Sequence, residues 1–130
     1  MSLFHKGAFV SHSGLPLTWK IECDALTPDD WDCIASVVAK KFQFRKAVGV
    51  PQGGLAFARA LQQYVTPGTQ LVLAVDDVLT TGASLAGLRE TLEKEGSQVI
   101  GVVLFSRGYV PWWCYAVFGL ADYFRERESQ

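Results

Sequence analysis

Two apolar runs, Leu71–Val75 and Val99–Phe105, constrain the fold of this chain more than any other feature. A strand with one wet face alternates apolar and polar residues, whereas a strand buried on both faces reads as a continuous apolar run. Between the two runs lies a helical stretch, Leu85–Glu95, with Leu85, Leu88 and Leu92 at core spacing and Gly96 placed to end it. A shorter run, Ala47–Val50, is followed by a second helical stretch, Leu55–Tyr64, and the Pro67-Gly68 turn. Strand, loop, helix, strand, loop, helix, strand predicts an α/β fold: a doubly wound parallel sheet flanked by helices.

The 130 residues are sized for one domain, since domains run to about 100–200 residues. Three parts are expected within it: a hood segment at 1–28, an α/β core at 29–108 and an aromatic C-terminal segment at 109–130. Gly7, Gly14, Pro16 and Pro28 punctuate the first part, which reads as irregular. Thr27 is placed to cap a helix from Pro28 to about Lys41. Pro28 takes the first helical position, Asp29 and Asp30 the electropositive first turn, and Lys40 and Lys41 the last. Trp112, Trp113, Tyr115, Phe118, Tyr123 and Phe124 crowd the C-terminal part, as a core or a subunit interface would, and Arg125–Gln130 read as a solvated end. Trp112, Trp113 and Tyr115 make a candidate dimer face.

Twelve basic and thirteen acidic residues give a net charge of −1. No global field recruits nucleic acid or an anionic membrane, so an anionic ligand must be held by local geometry. Cys23, Cys33 and Cys114 are scattered without CxxC spacing, the pattern of buried free thiols in a reducing compartment. A secretory pattern is absent from the first residues, and no apolar stretch approaches the ~18 residues of a membrane span. A cytoplasmic protein is expected.

In open parallel sheets, ligands bind beyond the carboxyl ends of the strands. Three segments leave such ends here, Pro51–Gly54, Asp76–Ser84 and Ser106–Gly108, and should open onto one crevice. In Val75-Asp76-Asp77-Val78-Leu79-Thr80-Thr81-Gly82-Ala83-Ser84, two adjacent carboxylates follow a buried strand, and a small, hydroxyl-rich turn then enters a helix. Backbone N–H groups at a helix start, with Thr and Ser hydroxyls, make an anion cradle, and Gly82 lets a phosphate come close. The carboxylates would repel a free phosphate but accept hydrogen bonds from vicinal hydroxyls, which points to a ribose 5-phosphate. A response-regulator acidic pocket would place its pair after the first strand, and this pair follows a later one.

Val72–Ser84 resembles the phosphoribosyl pyrophosphate (PRPP) motif of the type I phosphoribosyltransferases at every position. The resemblance implies that Asp76 and Asp77 hold the ribose hydroxyls and that Thr80, Thr81, Gly82, Ala83 and Ser84 hold the 5-phosphate. Val48-Gly49-Val50-Pro51-Gln52-Gly53-Gly54 is similar to the family's pyrophosphate loop, which implies diphosphate binding by Val50, Pro51, Gln52 and Gly53. Phe9–Gly14 with Trp19–Asp24 resembles the N-terminal Ser-Gly segment of the orotate branch. Leu104–Gly108 lies where that branch carries an Asp-Arg pair; Arg107 matches the Arg, near the base, and Ser106 replaces the Asp. The resemblance further implies Mg²⁺, PRPP and a nitrogen base as ligands, and a homodimer. It assigns no catalytic residue and no direct protein ligand to the metal.

Two departures stand beside these matches. Only 17 residues (Leu55–Leu71) separate Gly54 from Val72, where family enzymes insert a strand pair and a mobile catalytic loop; no Lys or His lies among them. His12 stands where the orotate branch has a Lys, and reads as a polar surface residue. Leaving-group charge in this chemistry is met by Mg²⁺ and cationic side chains, and a closing lid keeps water out. Three readings follow: a compact transferase, with orotate the leading base and Lys20, Lys6 or a partner chain replacing the lid; a PRPP- or nucleotide-binding regulatory module; and a relic that binds weakly.

Overall fold

The computed structural model describes residues 2–10 and 16–119, apart from the side chains of Leu17 and Thr18. The features expected at Ser11–Gly14, including His12, and at Tyr123, Phe124 and Arg125–Gln130 lie outside the described residues. No described helix is long and apolar enough to cross a membrane.

Among its described residues, the N-terminal part forms two strands rather than the irregular segment expected. Strands β1 (Phe4–Val10) and β2 (Pro16–Ile21) pair antiparallel, Phe4 opposite Ile21 and Val10 opposite Pro16. The glycine and proline that suggested loop sit where a ladder tolerates them: Gly7 falls in the register irregularity between Lys6 and Phe9, and Pro16 opens its strand. A single 3-10 turn (Cys23–Ala25) leads to α1 (Pro28–Lys41). Thr27 caps α1 reciprocally: its hydroxyl accepts from Asp30 N–H (3.1 Å) while the Asp30 carboxylate accepts from Thr27 N–H (2.8 Å).

Then come β3 (Lys46–Gly49), α2 (Leu55–Gln62), β4 (Leu71–Leu79), α3 (Ala83–Lys94), β5 (Gln98–Ser106) and β6 (Cys114–Gly119). They build a four-stranded sheet, all parallel, in the order β3-β4-β5-β6. The sheet therefore takes its last strand from the aromatic segment, beyond the core limit expected at residue 108. Gly101 pairs with Cys114 and Phe105 with Phe118.

Alternate residues of β4 and β5 feed two separate cores. Leu73, Val75, Val102 and Leu104 pack with Trp31, Ala35 and Val38 of α1 and Phe57 and Leu61 of α2. Val72, Ala74 and Val103 pack on the other face with Leu85 and Leu92 of α3. The sheet is thus covered on both sides, which is why its strands read as unbroken apolar runs. One consequence runs against the usual rule. The steps β3 to β4 and β4 to β5 go the same way across the sheet, yet α2 and α3 lie on opposite faces, so the two crossovers have opposite hands. Parallel crossovers are right-handed in all but about 2% of cases.

Of the three residues expected at a dimer face, two are engaged within the chain. Trp113 covers Gly101, where a Cβ would stand 2.7 Å from its ring, and Tyr115 meets Phe42 edge-on with centroids 5.6 Å apart. Trp112 is 86% exposed. The cysteines also divide: Cys23 is buried and Cys114 half-buried, but Cys33 is exposed, on the solvent side of α1.

Candidate functional site

Asp76 and Asp77 lie within a strand rather than in the loop expected for them. β4 runs on to Leu79 because β5 continues beside it, with Asp76 opposite Val103, Val78 opposite Phe105 and Leu79 opposite Ser106. Each carboxylate also accepts from the next backbone N–H, Asp76 from Asp77 at 2.8 Å and Asp77 from Val78 at 2.7 Å. Burial, reinforced by the side chain and charge of Asp77, pushes the Asp76 carboxyl up to about 7.

The Pro51–Gly54 loop is fastened to the same strand. Val50 N–H donates to the Val75 carbonyl (2.8 Å), and Gly54 N–H donates back to the Val50 carbonyl (2.8 Å), closing a turn whose Pro51–Gln52 peptide is cis. A Cβ at Gly54 would collide with the Val75 carbonyl oxygen, so only glycine allows this approach. A Cβ on Gly53 would lie 2.7 Å from both carboxylate oxygens of Asp77. The second acidic residue therefore rests directly on this loop. Gln52, Gly53 and Asp77, with Cys23, Asp24, Leu26, Pro28, Trp31 and Ala56, line a cavity of about 440 Å³. No Lys, Arg or His is among them. Burial, then the charges of Asp77 and Asp24, push the Cys23 thiol up to about 12, which leaves it protonated and inert.

The turn after β4 is open. Thr80 and Gly82 are half-buried, while Thr81, Ala83 and Ser84 are exposed. Gly82 is left-handed (φ 82°) and serves as the N-cap of α3 without a side chain to close its first turn. The Thr81 hydroxyl accepts a long bond, 3.4 Å, from Ala83 N–H. Small residues, a left-handed glycine and a helix start with little side-chain capping leave backbone donors that an anion could use.

Arg107 follows β5 directly, and its N–H donates to the Leu79 carbonyl at 3.0 Å, which ties the third segment to the end of β4. The second segment thus meets each of the other two at the carboxyl ends of the strands, although the cavity itself takes in only residues of the first and Asp77 of the second. The hood closes over this end. Phe4 of β1 meets Phe105 edge-on at 6.1 Å, and the Arg107 guanidinium lies 3.4 Å from the centroid of Trp19 of β2. Lys20 is drawn to Glu22 at 2.6 Å and lies over the Phe9 ring. Lys6 is exposed, opposite Trp19 in the ladder. Trp19 and Asp24 reach the site without any role read for them in the sequence. Their placement depends on how the hood docks, which no local spacing encodes.

No protein-family model and no curated protein matches this sequence. Solved structures do match its fold. Orotate phosphoribosyltransferase from Aeropyrum pernix superposes with a TM-score of 0.72 at 23% identity, over 98% of this chain and 93% of that one. UMP synthase from Leishmania donovani gives 0.70 at 21% identity, over 91% of this chain and 33% of that larger one. A purine phosphoribosyltransferase from Pyrococcus horikoshii gives 0.55 at 20% identity, over 75% and 91%. The fold is that of the type I phosphoribosyltransferases.

Proposed function

We propose that this chain is a PRPP-dependent phosphoribosyltransferase that moves ribose 5-phosphate onto a nitrogen base, orotate the leading candidate, and releases pyrophosphate. One observation carries the reading: along β4 the acidic pair stands between Val75, where the Pro51–Gly54 loop is fastened, and the open turn at Thr80–Ser84, with Asp77 resting on Gly53. A ribose 5-phosphate with a diphosphate at C1 has its charges in that order. Asp76 and Asp77 accept from the ribose hydroxyls, the start of α3 takes the 5-phosphate, and Val50, Pro51, Gln52 and Gly53 face the diphosphate. Arg107, at the end of β5, is the residue assigned to the base on this reading. The near-complete overlap with a structure named as an orotate enzyme supports the same reading.

The donor set fits Mg²⁺. Asp24, Asp77 and Gln52 offer the oxygen ligands such a hard cation takes. No group of three His, Cys, Asp or Glu stands ready to hold a metal among the described residues, so Mg²⁺ would arrive with the diphosphate. When bound it would offset charge on the departing pyrophosphate. The chain's own part is to hold the ribose at both hydroxyls and the phosphate and to shield one side with the hood. Cytoplasmic residence and a homodimer complete the proposal; exposed Trp112 is its candidate contact.

A second reading is a PRPP- or nucleotide-binding regulatory module, favoured by the 17-residue Leu55–Leu71 connection and by a cavity lined with two carboxylates and no cation. Pyrophosphate release with Mg²⁺, measured across orotate, uracil, hypoxanthine and adenine, decides between them. Base-dependent release that Asp76→Asn/Asp77→Asn abolishes establishes the transferase. No release, with PRPP still protecting the wild type from thermal unfolding, leaves the binding module.

A further inference from the structure

The seven residues Lys40-Lys41-Phe42-Gln43-Phe44-Arg45-Lys46 hold four of the chain's twelve basic residues. All four cations are exposed, and none makes an ion pair among the described residues. Lys41 lies 4.8 Å from the centroid of the Tyr115 ring, and Arg45 Nη2 donates to the Ser97 hydroxyl at 3.3 Å. Tyr115 lines a second cavity, of about 310 Å³, with Phe42, Val99, Trp112 and Trp113. No charged residue lines it, and Ser97 stands two residues before Val99. The groove opens where β5 and β6 begin. Asp76 pairs with Val103, four residues further along β5 than Val99, or roughly 13 Å, so the groove is apart from the acidic pair. Trp112 is 86% exposed beside it. The backbone there is fixed: the Trp113 carbonyl accepts from Gly101 N–H (2.8 Å), and Cys114 N–H donates to the Pro111 carbonyl (3.0 Å). A large ring held out on a pinned backbone has less freedom to lose on binding.

Aromatic rings at the centre with cations at the rim match the make-up of protein-binding surfaces. Charge narrows the occupant. A second copy would bring the same surplus of cations. The α3 side that it could turn toward them carries Glu90, Glu93 and Glu95, but Glu90 is bonded to Lys94 (3.2 Å) and Glu93 to Arg89 (2.7 Å). That leaves Glu95 against four cations. A nucleic-acid strand needs a longer track of cations than one seven-residue turn on a chain of net charge −1. We propose that this end of the sheet docks a short acidic segment of another protein, with one large apolar side chain seated in the groove against Trp112 and carboxylates on Lys41 and Arg45. Trp112, a candidate contact for a second copy, takes this different occupant, and the homodimer is left to another face. The docking face stands apart from the PRPP end and holds under either reading of it.

The test follows the anisotropy of a short labelled peptide, glutamates around one central phenylalanine, as the full chain is added. Companion peptides replace the phenylalanine by alanine or every glutamate by glutamine, and a labelled oligouridylate stands for nucleic acid. The first peptide is expected to bind, less tightly as salt rises, and each companion about tenfold more weakly. Trp112→Ala should weaken binding about tenfold, as loss of a central ring does. Lys41→Glu/Arg45→Glu should do the same at low salt and remove most of the salt dependence. Lys94→Ala, whose ammonium is bonded to Glu90, should bind as the wild type does. No binding of the first peptide, equal binding by Trp112→Ala, or tighter binding of oligouridylate overturns the proposal. So does self-association in sedimentation that Trp112→Ala abolishes, since a second copy then holds the groove. If Trp112→Ala does not fold, the charge variant and the companion peptides decide alone. A chain that binds the peptide but not PRPP refutes the PRPP reading and leaves the docking face standing.

Discussion

Two loops leave neighbouring strands at the same end of the sheet and are built in opposite ways. Pro51–Gly54 is sealed: its backbone is bonded to β4 at Val75, its last glycine touches a carbonyl, and Gly53 backs onto a carboxylate. Thr80–Ser84 is open, with the Thr81 and Ser84 side chains exposed and a helix start that meets only one long side-chain bond, from Ala83 N–H to Thr81. The first loop is fixed by the fold, whereas the second leaves donors uncommitted. A site that must hold a sugar between two anions can use that difference, one wall set in advance and the other completed on binding.

Substitutions that add a single methyl group test the contrast most directly. Gly54→Ala forces a Cβ into the Val75 carbonyl, a backbone group that cannot swing aside. A loss of about 3 kcal/mol or more is expected in denaturant unfolding. A loss below ~1 kcal/mol would show that the sealed loop is looser than its contacts imply.

A smaller effect, of opposite sign, is expected at the acidic pair. Asp76 is an acid whose carboxyl is held near 7 in the folded chain, above its ordinary 3.8. The folded state therefore keeps a proton that the unfolded chain releases, and stability falls as pH rises from about 4 to about 7. Asp76→Asn mimics the protonated form. It should melt with the wild type near pH 4 and several degrees above it at pH 8, where the wild type carries a charge that burial penalises. Equal melting shifts at both pH values would mean that burial does not penalise the charge.

The smallest effect belongs to the open loop. Gly82→Ala must place a side chain at φ 82° and within 3.2 Å of a Leu79 methyl, a terminal group that can yield. About 1 kcal/mol is expected. A penalty as large as that of Gly54→Ala would erase the distinction between the two loops.

Much of this was legible in residue order because the signals are local. Continuous apolar runs disclose burial on both faces, Thr27-Pro28 with the following aspartates discloses a helix start, and the Val72–Ser84 pattern places carboxylates beside an anion cradle. Other features depend on contacts far apart in sequence. Trp19 reaches Arg107 only because β1 and β2 pair and fold over the sheet, so no periodicity announced it. The β6 strand was hidden among Trp and Tyr residues that suit an interface as well as a sheet edge. Opposite crossover hands cannot be read from a string at all, since helix, turn and strand come in the same order for either hand.

The outer side of β3 has a consequence for how the molecule behaves in company. Four residues long, it ends the sheet, and the N–H that Ala47 turns outward is already taken at 3.1 Å by the Gln62 side-chain amide oxygen. Exposed Lys46 stands next to it. A strand from another molecule would find a short template, one rung occupied and a charge to bury. Among the described residues this margin is guarded against aggregation by its short length, a glutamine side chain and a lysine.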